Sequence, residues 1–314
     1  MSATNNLYQR LVQLVQSETP EPGLHETGIK DLMLGRADAP ETIGPCVYNP
    51  TLGFIVQGSK NVQFGDRELI YGPLTYFACN VQLPAYGQIL EASKEKPFLS
   101  FGIKIDPQEI TDLVLESKIQ ADSESRESPE VGCGMCMTEM DEGLQTAVIR
   151  LLSLLKTPAD IPVLAPLARR EIIYRALHGS LGSSIRKFAV KDSQSHRVSR
   201  VINTLNRSYN EPLRIAELAE EVNMSESSLF HTFKKITRMS PLQFQKKLRL
   251  HEARRLMLSE GLDAASAGYR VGYQSPSQFS REYSRLFGSP PREDVSKLRG
   301  THVRSTAQMA VDTL

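Results

Sequence analysis

The chain of 314 residues is short of several things, and each shortage closes a class of function. No apolar run approaches the roughly 20 residues that a membrane span needs. The opening stretch, MSATNNLYQRLVQLVQSETP, lacks the basic and apolar regions of a signal peptide. It reads instead as a short amphipathic helix with Leu7, Leu11, Leu14 and Val15 on one side. Four cysteines make no disulfide framework, so the cytoplasm is the expected compartment. The first 177 residues hold a single histidine, His25. No glycine loop that would cradle phosphate is present, and no serine nucleophile elbow. The expectation is therefore no catalytic residue, no cofactor and no bound metal: not an enzyme. The length suits two domains.

Net charge is also scarce, at +1, but that value is a cancellation. Ser195 to Arg299 carries 18 Lys and Arg against 11 Asp and Glu, a net of +7, which leaves −6 for the remainder. A basic third of this kind is the electrostatic footprint of a duplex binder.

The same third carries a pattern. SPSQFSREYSRLFGSPP runs from Ser275 to Pro291. Ser275 can cap a helix, Pro276 suits its first position, and Gln278 stands where a capping box needs it. Phe279, Tyr283 and Leu286 form one buried stripe, and Gly288 with Pro290 and Pro291 stops the helix. Ser277 and Arg281 share the opposite face. Ahead of it, Ala264, Ala267, Gly268 and Val271 make a short helix with a small-residue face, closed by a glycine turn. Helix, tight turn and capped helix make a helix-turn-helix, whose second helix lies in the major groove of DNA. The signal occurs twice. Fifty residues earlier, Ser225, Ser227, Leu229, Phe233 and Ile236 answer Ser275, Ser277, Phe279, Tyr283 and Leu286, with His231 in the place of Arg281. Ile215, Leu218, Ala219 and Val222 supply the preceding helix. Between the units, Pro241 to Gly261 reads as one helix of about 27 Å, a rod able to set two recognition helices about one DNA turn apart.

Residues 196–298 resemble the DNA-binding domain of the AraC/XylS family of bacterial transcription regulators. The strings that carry the likeness are IAELAEEVNMSESSLFHTFKKITRMSPLQFQKKLRLHEARRLM and AASAGYRVGYQSPSQFSREYSRLFGSPP. The resemblance implies that Ser227, Phe230 and His231 read bases from the first unit, and Pro276, Ser277 and Arg281 from the second. Arg281 is suited to a bidentate contact with guanine. Lys234, Lys235, Lys246, Lys247 and Arg285 are expected on phosphates, which position the protein without reading sequence. Arg238 departs from the family pattern, which has glycine there after the first recognition helix.

Residues 30 to 105 read as β structure, with turns at Gly58-Ser59 and Gly65-Asp66. Helices follow: one after Asp106-Pro107, an apolar one over Leu144–Leu155 suited to a core or a subunit interface, and one entered through the prolines of TPADIPVLAPLARREIIYRAL. QADSESRESPEVG reads as a loop. YNPTLGFIVQGSK, LTYFACNVQLPAYGQI and IPVLAPLARREIIYRAL resemble the N-terminal domain of one AraC subgroup, a cupin-like β-barrel followed by helices. The expected fold class is α+β: residues 1–180 as an effector-sensing and dimerising domain, 181–195 as a linker, 196–299 as an all-α tandem helix-turn-helix domain, and 300–314 as a tail. The resemblance implies a homodimer, a small-molecule effector, promoter DNA and RNA polymerase as partners, and no membrane. Some members of the subgroup answer to aldehydes or other reactive electrophiles. One histidine is too few for a metal-dependent cupin. Tyr48, Phe54, Tyr76 and Tyr86 fall on or near the barrel strands, where an aromatic serves core or pocket.

VGCGMCMTEM places Cys133 and Cys136 two residues apart. Zinc would need four ligands, and only Cys46 and Cys79 remain. A thioredoxin-like motif needs a βαβ context, which is absent. A redox or electrophile sensor, an incidental pair and a metal site all stay open. The alternatives to a sequence-specific regulator are a repair or cysteine-based enzyme with an attached DNA-binding module, and a non-specific DNA binder.

Overall fold

The computed structural model describes residues 3–117, 133–189 and 193–300. The loop expected over QADSESRESPEVG and the tail expected after Gly300 lie outside the described residues, except that α12 reaches Gly300.

Among the described residues, ten strands form two antiparallel sheets. They are β1 (Gly23–Glu26), β2 (Leu32–Ala37), β3 (Glu41–Tyr48), β4 (Thr51–Gln57), β5 (Ser59–Phe64), β6 (Arg67–Tyr71), β7 (Thr75–Cys79), β8 (Leu83–Glu91), β9 (Phe98–Lys104) and β10 (Met135–Glu139). One sheet runs β1-β2-β9-β4-β7-β10 and the other β3-β8-β5-β6. Residues of β4 are buried throughout, as befits a strand covered on both faces. The β-rich body expected from sequence is present as two facing sheets. Two of its details differ. Gly65-Asp66 is the two-residue turn of a hairpin, with Phe64 opposite Arg67. Gly58 is not: β4 pairs with β7 and β9, β5 pairs with β6 and β8, so Gly58 carries the chain from one sheet to the other. The cysteine-pair segment supplies β10 beside β7, with Cys136 opposite Ala78.

Helices cover the larger sheet. They are α1 (Ala3–Glu18), α2 (Pro107–Glu116), α3 (Glu142–Ser153) and α4 (Ile161–His178). Leu11 and Val15 of α1 are fully buried. The apolar helix expected over Leu144–Leu155 is α3. It faces the core on nearly every side: Leu144, Ala147, Val148, Ile149, Leu151 and Leu152 are buried among α1, α4 and the sheet. Its apolar residues therefore serve the core. Several exposed apolar residues gather on α4, where Val163, Leu164, Leu167 and Tyr174 face outward, while Ile70 on β6 and Leu115 on α2 are exposed singly. Tyr48, Phe54 and Tyr76 are core residues, and Tyr86 is partly exposed.

The stretch expected as a linker is largely helical: α5 spans Gly182–Ala189 with Ile185 and Phe188 buried. The C-terminal domain follows as α6 (Gln194–Arg207), α7 (Ile215–Glu221), α8 (Glu226–Thr237), α9 (Pro241–Ser259), α10 (Ala264–Arg270), α11 (Pro276–Phe287) and α12 (Pro291–Gly300). Its first half shares a continuous apolar core with the smaller sheet, from Val62 and Phe64 through Met135 to Ile236 and Met239. Its second half has a core of its own around Val271, Phe279 and Tyr283.

Candidate nucleic-acid interface

The two recognition helices are built alike. Ser225 caps α8, accepting from the Ser228 amide at 3.2 Å. Ser275 caps α11, accepting from the Gln278 amide at 3.4 Å. The reciprocal half of the capping box expected at Gln278 is replaced: its side chain donates to Glu282 at 3.2 Å. A complete capping box opens α9, between Ser240 and Gln243. Leu229, Phe233 and Ile236 bury one face of α8; Phe279 and Tyr283 bury the matching face of α11.

Each pair of helices is joined by one left-handed residue, Asn223 in the first unit and Gly272 in the second. The same closing bond follows, Met224 N to Ala219 O at 2.9 Å and Tyr273 N to Gly268 O at 3.0 Å. These positions repeat at 49 residues, whereas the capping serines repeat at 50, so the second turn is one residue longer. Gly268 shows why the leading helix has small residues: a side chain there would meet the Phe279 ring at 3.0 Å. The joining helix α9 has 19 residues, about 28 Å at 1.5 Å per residue.

Ser227, Phe230, His231, Ser277 and Arg281 are all exposed, and Pro276 is half-exposed at the start of α11. Phe230 is a large apolar side chain left 46% exposed. Among the described residues the Arg281 guanidinium makes only one bond, Nε donating to its own helix at Ser277 O, 3.3 Å. The five cations expected on phosphates divide. Lys234, Lys235 and Arg285 are exposed. Lys246 is half-buried and paired with Glu282 at 3.0 Å. Lys247 is half-buried, and burial lowers its pKa. Both line a groove of about 600 Å³ that also receives Asp66 from the β5–β6 hairpin.

That hairpin touches the first unit directly. Arg238 ends α8 in the left-handed conformation, φ 59°, and its amide donates to Lys234 O at 2.8 Å. Gly65 lies so close to Arg238 that a Cβ would sit 2.3 Å from its carbonyl oxygen. Gly134 N donates to Ile236 O at 2.9 Å, one residue from Cys133. The departure at Arg238 thus marks one of the points where the two domains meet. Sequence reasoning missed this contact; Gly65 and Gly134 were its only signal.

Cys133 and Cys136 are both buried, in different places: Cys133 in the core shared with the smaller sheet, Cys136 in the core under α3. Arg67 Nη1 donates to the Cys133 sulfur at 3.0 Å. Burial pushes the Cys46 thiol up to about 11 and raises that of Cys79. None of the four cysteines forms a disulfide. Among the described residues no three His, Cys, Asp or Glu side chains gather as a metal site, and no helix is long and apolar enough to cross a membrane.

The second unit is held on α9 by a charged knot. Asp294, on α12, accepts from Arg254 Nε and Nη2 at 2.9 and 3.0 Å and from the Tyr283 hydroxyl at 2.7 Å. The Arg254 guanidinium lies 4.4 Å from the Phe287 ring centre.

Comparison with known proteins agrees with this architecture. The family model described as the AraC-type transcriptional regulator N-terminus matches residues 28–184, and a helix-turn-helix domain model matches 218–296. The HTH-type transcriptional regulator ArgR of Pseudomonas aeruginosa is 30% identical over 108 residues, 34% of this chain and 33% of that protein. The regulator CdhR of the same organism is 31% identical over 104 residues, 33% of this chain and 31% of that protein. The matches thus span about a third of the length of these relatives. Among solved structures, ToxT of Vibrio cholerae bound to an unsaturated fatty acid superposes with a TM-score of 0.56 at 10% identity, covering 88% of this chain and 99% of ToxT. With half of its length under the N-terminal model and a helix-turn-helix model over its basic third, the chain belongs to the AraC-type transcriptional regulators.

Proposed function

We propose that this protein is a sequence-specific regulator of transcription in the cytoplasm, reading adjacent major grooves of promoter DNA with α8 and α11. The carrying observation is the doubled unit: two capped helices with polar, open leading edges, joined by one rod of about 28 Å, on the basic third of the chain. Ser227, Phe230 and His231 read the first half-site, and Pro276, Ser277 and Arg281 the second. Lys234, Lys235 and Arg285 hold phosphates. Lys246 and Lys247 take that role only where the groove beneath the β5–β6 hairpin opens.

The regulatory domain binds a small effector and passes its state through the contact of Gly65 with Arg238 and of Gly134 with Ile236. ToxT, of the same fold, has been solved with an unsaturated fatty acid bound. Direct sensing by Cys133 and Cys136 is less well supported, because a reactive thiolate needs access and both sulfurs are buried. Homodimerisation uses the outward apolar face of α4, and RNA polymerase is the partner at the promoter. The protein carries out no catalysis.

The test is recovery of genomic fragments by the purified chain. A few promoters sharing a motif about two helical turns long support the reading. Recovery of all fragments alike, with affinity set by salt alone, refutes it in favour of non-specific binding.

A further inference from the structure

We propose that a small uncharged molecule with an amide, carbonyl or hydroxyl group binds in the cavity where the larger sheet, the connecting helix α5 and the first helix of the DNA-binding domain meet. The cavity holds about 120 Å³. That is about four water volumes, room for a ligand of roughly four to seven non-hydrogen atoms.

Its lining fixes the chemistry. Asn49 follows β3, Asn80 and Gln82 lie between β7 and β8, and Ser199 and Asn203 come from α6. Asn49, Gln82 and Asn203 form no side-chain hydrogen bond among the described residues. The Asn80 amide makes two long bonds, to Cys133 O and to Ser184 Oγ, both at 3.4 Å. Four carboxamides thus line one space, three of them without a protein partner among the described residues, and each can donate and accept. The floor is apolar, with Val81, Ile105, Ile110, Ile185 and Phe188. No ionisable side chain lines the cavity among the described residues. An anion or a cation would lose its hydration there with no opposite charge in return, so the site selects neutral molecules.

The position ties occupancy to domain arrangement. Asn49, Asn80 and Gln82 belong to the regulatory domain, Ser199 and Asn203 to the DNA-binding domain, and Phe188 to the helix between them. His196 of α6 already bonds back to Phe188 O at 3.1 Å. A molecule bridging the two sets of amides holds α6 against the sheet. The role as an effector site rests on the regulator reading; the chemistry of the cavity does not.

The experiment uses the full-length protein and ligand-observed NMR with propionamide, propane-1,2-diol, propionate and propylammonium. Two variants accompany it: Asn203→Leu, which removes an exposed amide, and Ser199→Phe, which fills the space. Genomic fragment recovery is run on the same samples. Millimolar binding of propionamide or the diol, absent for both ions, weakened about fivefold by Asn203→Leu and abolished by Ser199→Phe, is the expected result. No binding of either neutral probe to wild-type protein, or binding unchanged in a folded variant, overturns the inference. If fragments are still enriched in that case, the regulator reading stands and only the cavity assignment falls.

Discussion

Removing the Asp294 carboxylate should unseat the second recognition helix. Asp294 is 7% exposed and serves two donors at once, the Arg254 guanidinium and the Tyr283 hydroxyl. Asp294→Ala leaves a guanidinium and a phenol with no acceptor in a packed region. Losing one partner of a buried ion pair costs about 3–5 kcal/mol, because the remaining charge stays desolvated. That is a large part of the roughly 5–15 kcal/mol that holds a domain folded. Asp294→Asn keeps an acceptor and should cost less. The assay is hydrogen exchange across the whole chain, since the two domains need not unfold together. Amides of α11 and α12 should lose protection in Asp294→Ala, while those of β4 and α3 keep it, and specific DNA binding should fall with them. A stability change under about 1 kcal/mol, or equal loss in both domains, would refute the reasoning.

Three further outcomes follow from the same geometry. Burial, aided by Arg254 and Lys247, lowers the His251 pKa to about 3. An unfolded histidine takes a proton near 6.5, so the folded state binds fewer protons between about 3 and 6.5, and stability falls as the pH falls through that window. The loss between pH 7 and pH 5 is about 2 kcal/mol, and urea midpoints of wild type against His251→Gln should show it flattened in the variant. Lys235→Ala should reduce the salt slope of DNA binding by about 0.9 without changing the preferred sequence, as read by titrations at several ionic strengths. Leu167→Glu should shift the sedimenting species toward monomer, whereas a substitution at Thr146 on the outer side of α3 should not.

What was legible in the sequence had local causes. The capping serines, the apolar stripes of α8 and α11 and the small face of α10 are decided within four or five residues, so the order of residues alone marks out the tandem unit. The one-residue difference between the two turns was legible too, since the stripes of α7 and α10 already repeat at 49. The rest depended on distant partners. Gly58 looks like a hairpin turn because the residues around it do not say that β4 and β5 join different sheets. The segment at Cys133 has no alternation of its own and becomes β10 by pairing with β7. The apolar helix α3 has the same composition as an interface, and only the packing of α1 and α4 shows that it is core. Lys246 and Lys247 carry the same charge as Lys234, and it is their partial burial, with the pairing of Lys246 to Glu282 on α11, that sets them apart.

The central claim is that each unit reads its own groove, and chemical footprinting on a selected operator tests it most directly. Wild-type protein should protect two major-groove windows about one helical turn apart. Arg281→Ala should lose protection and guanine preference in one window only, at a cost of about 1–3 kcal/mol, and leave the window read by Ser227, Phe230 and His231 intact. A single window, or equal loss in both, would contradict the account.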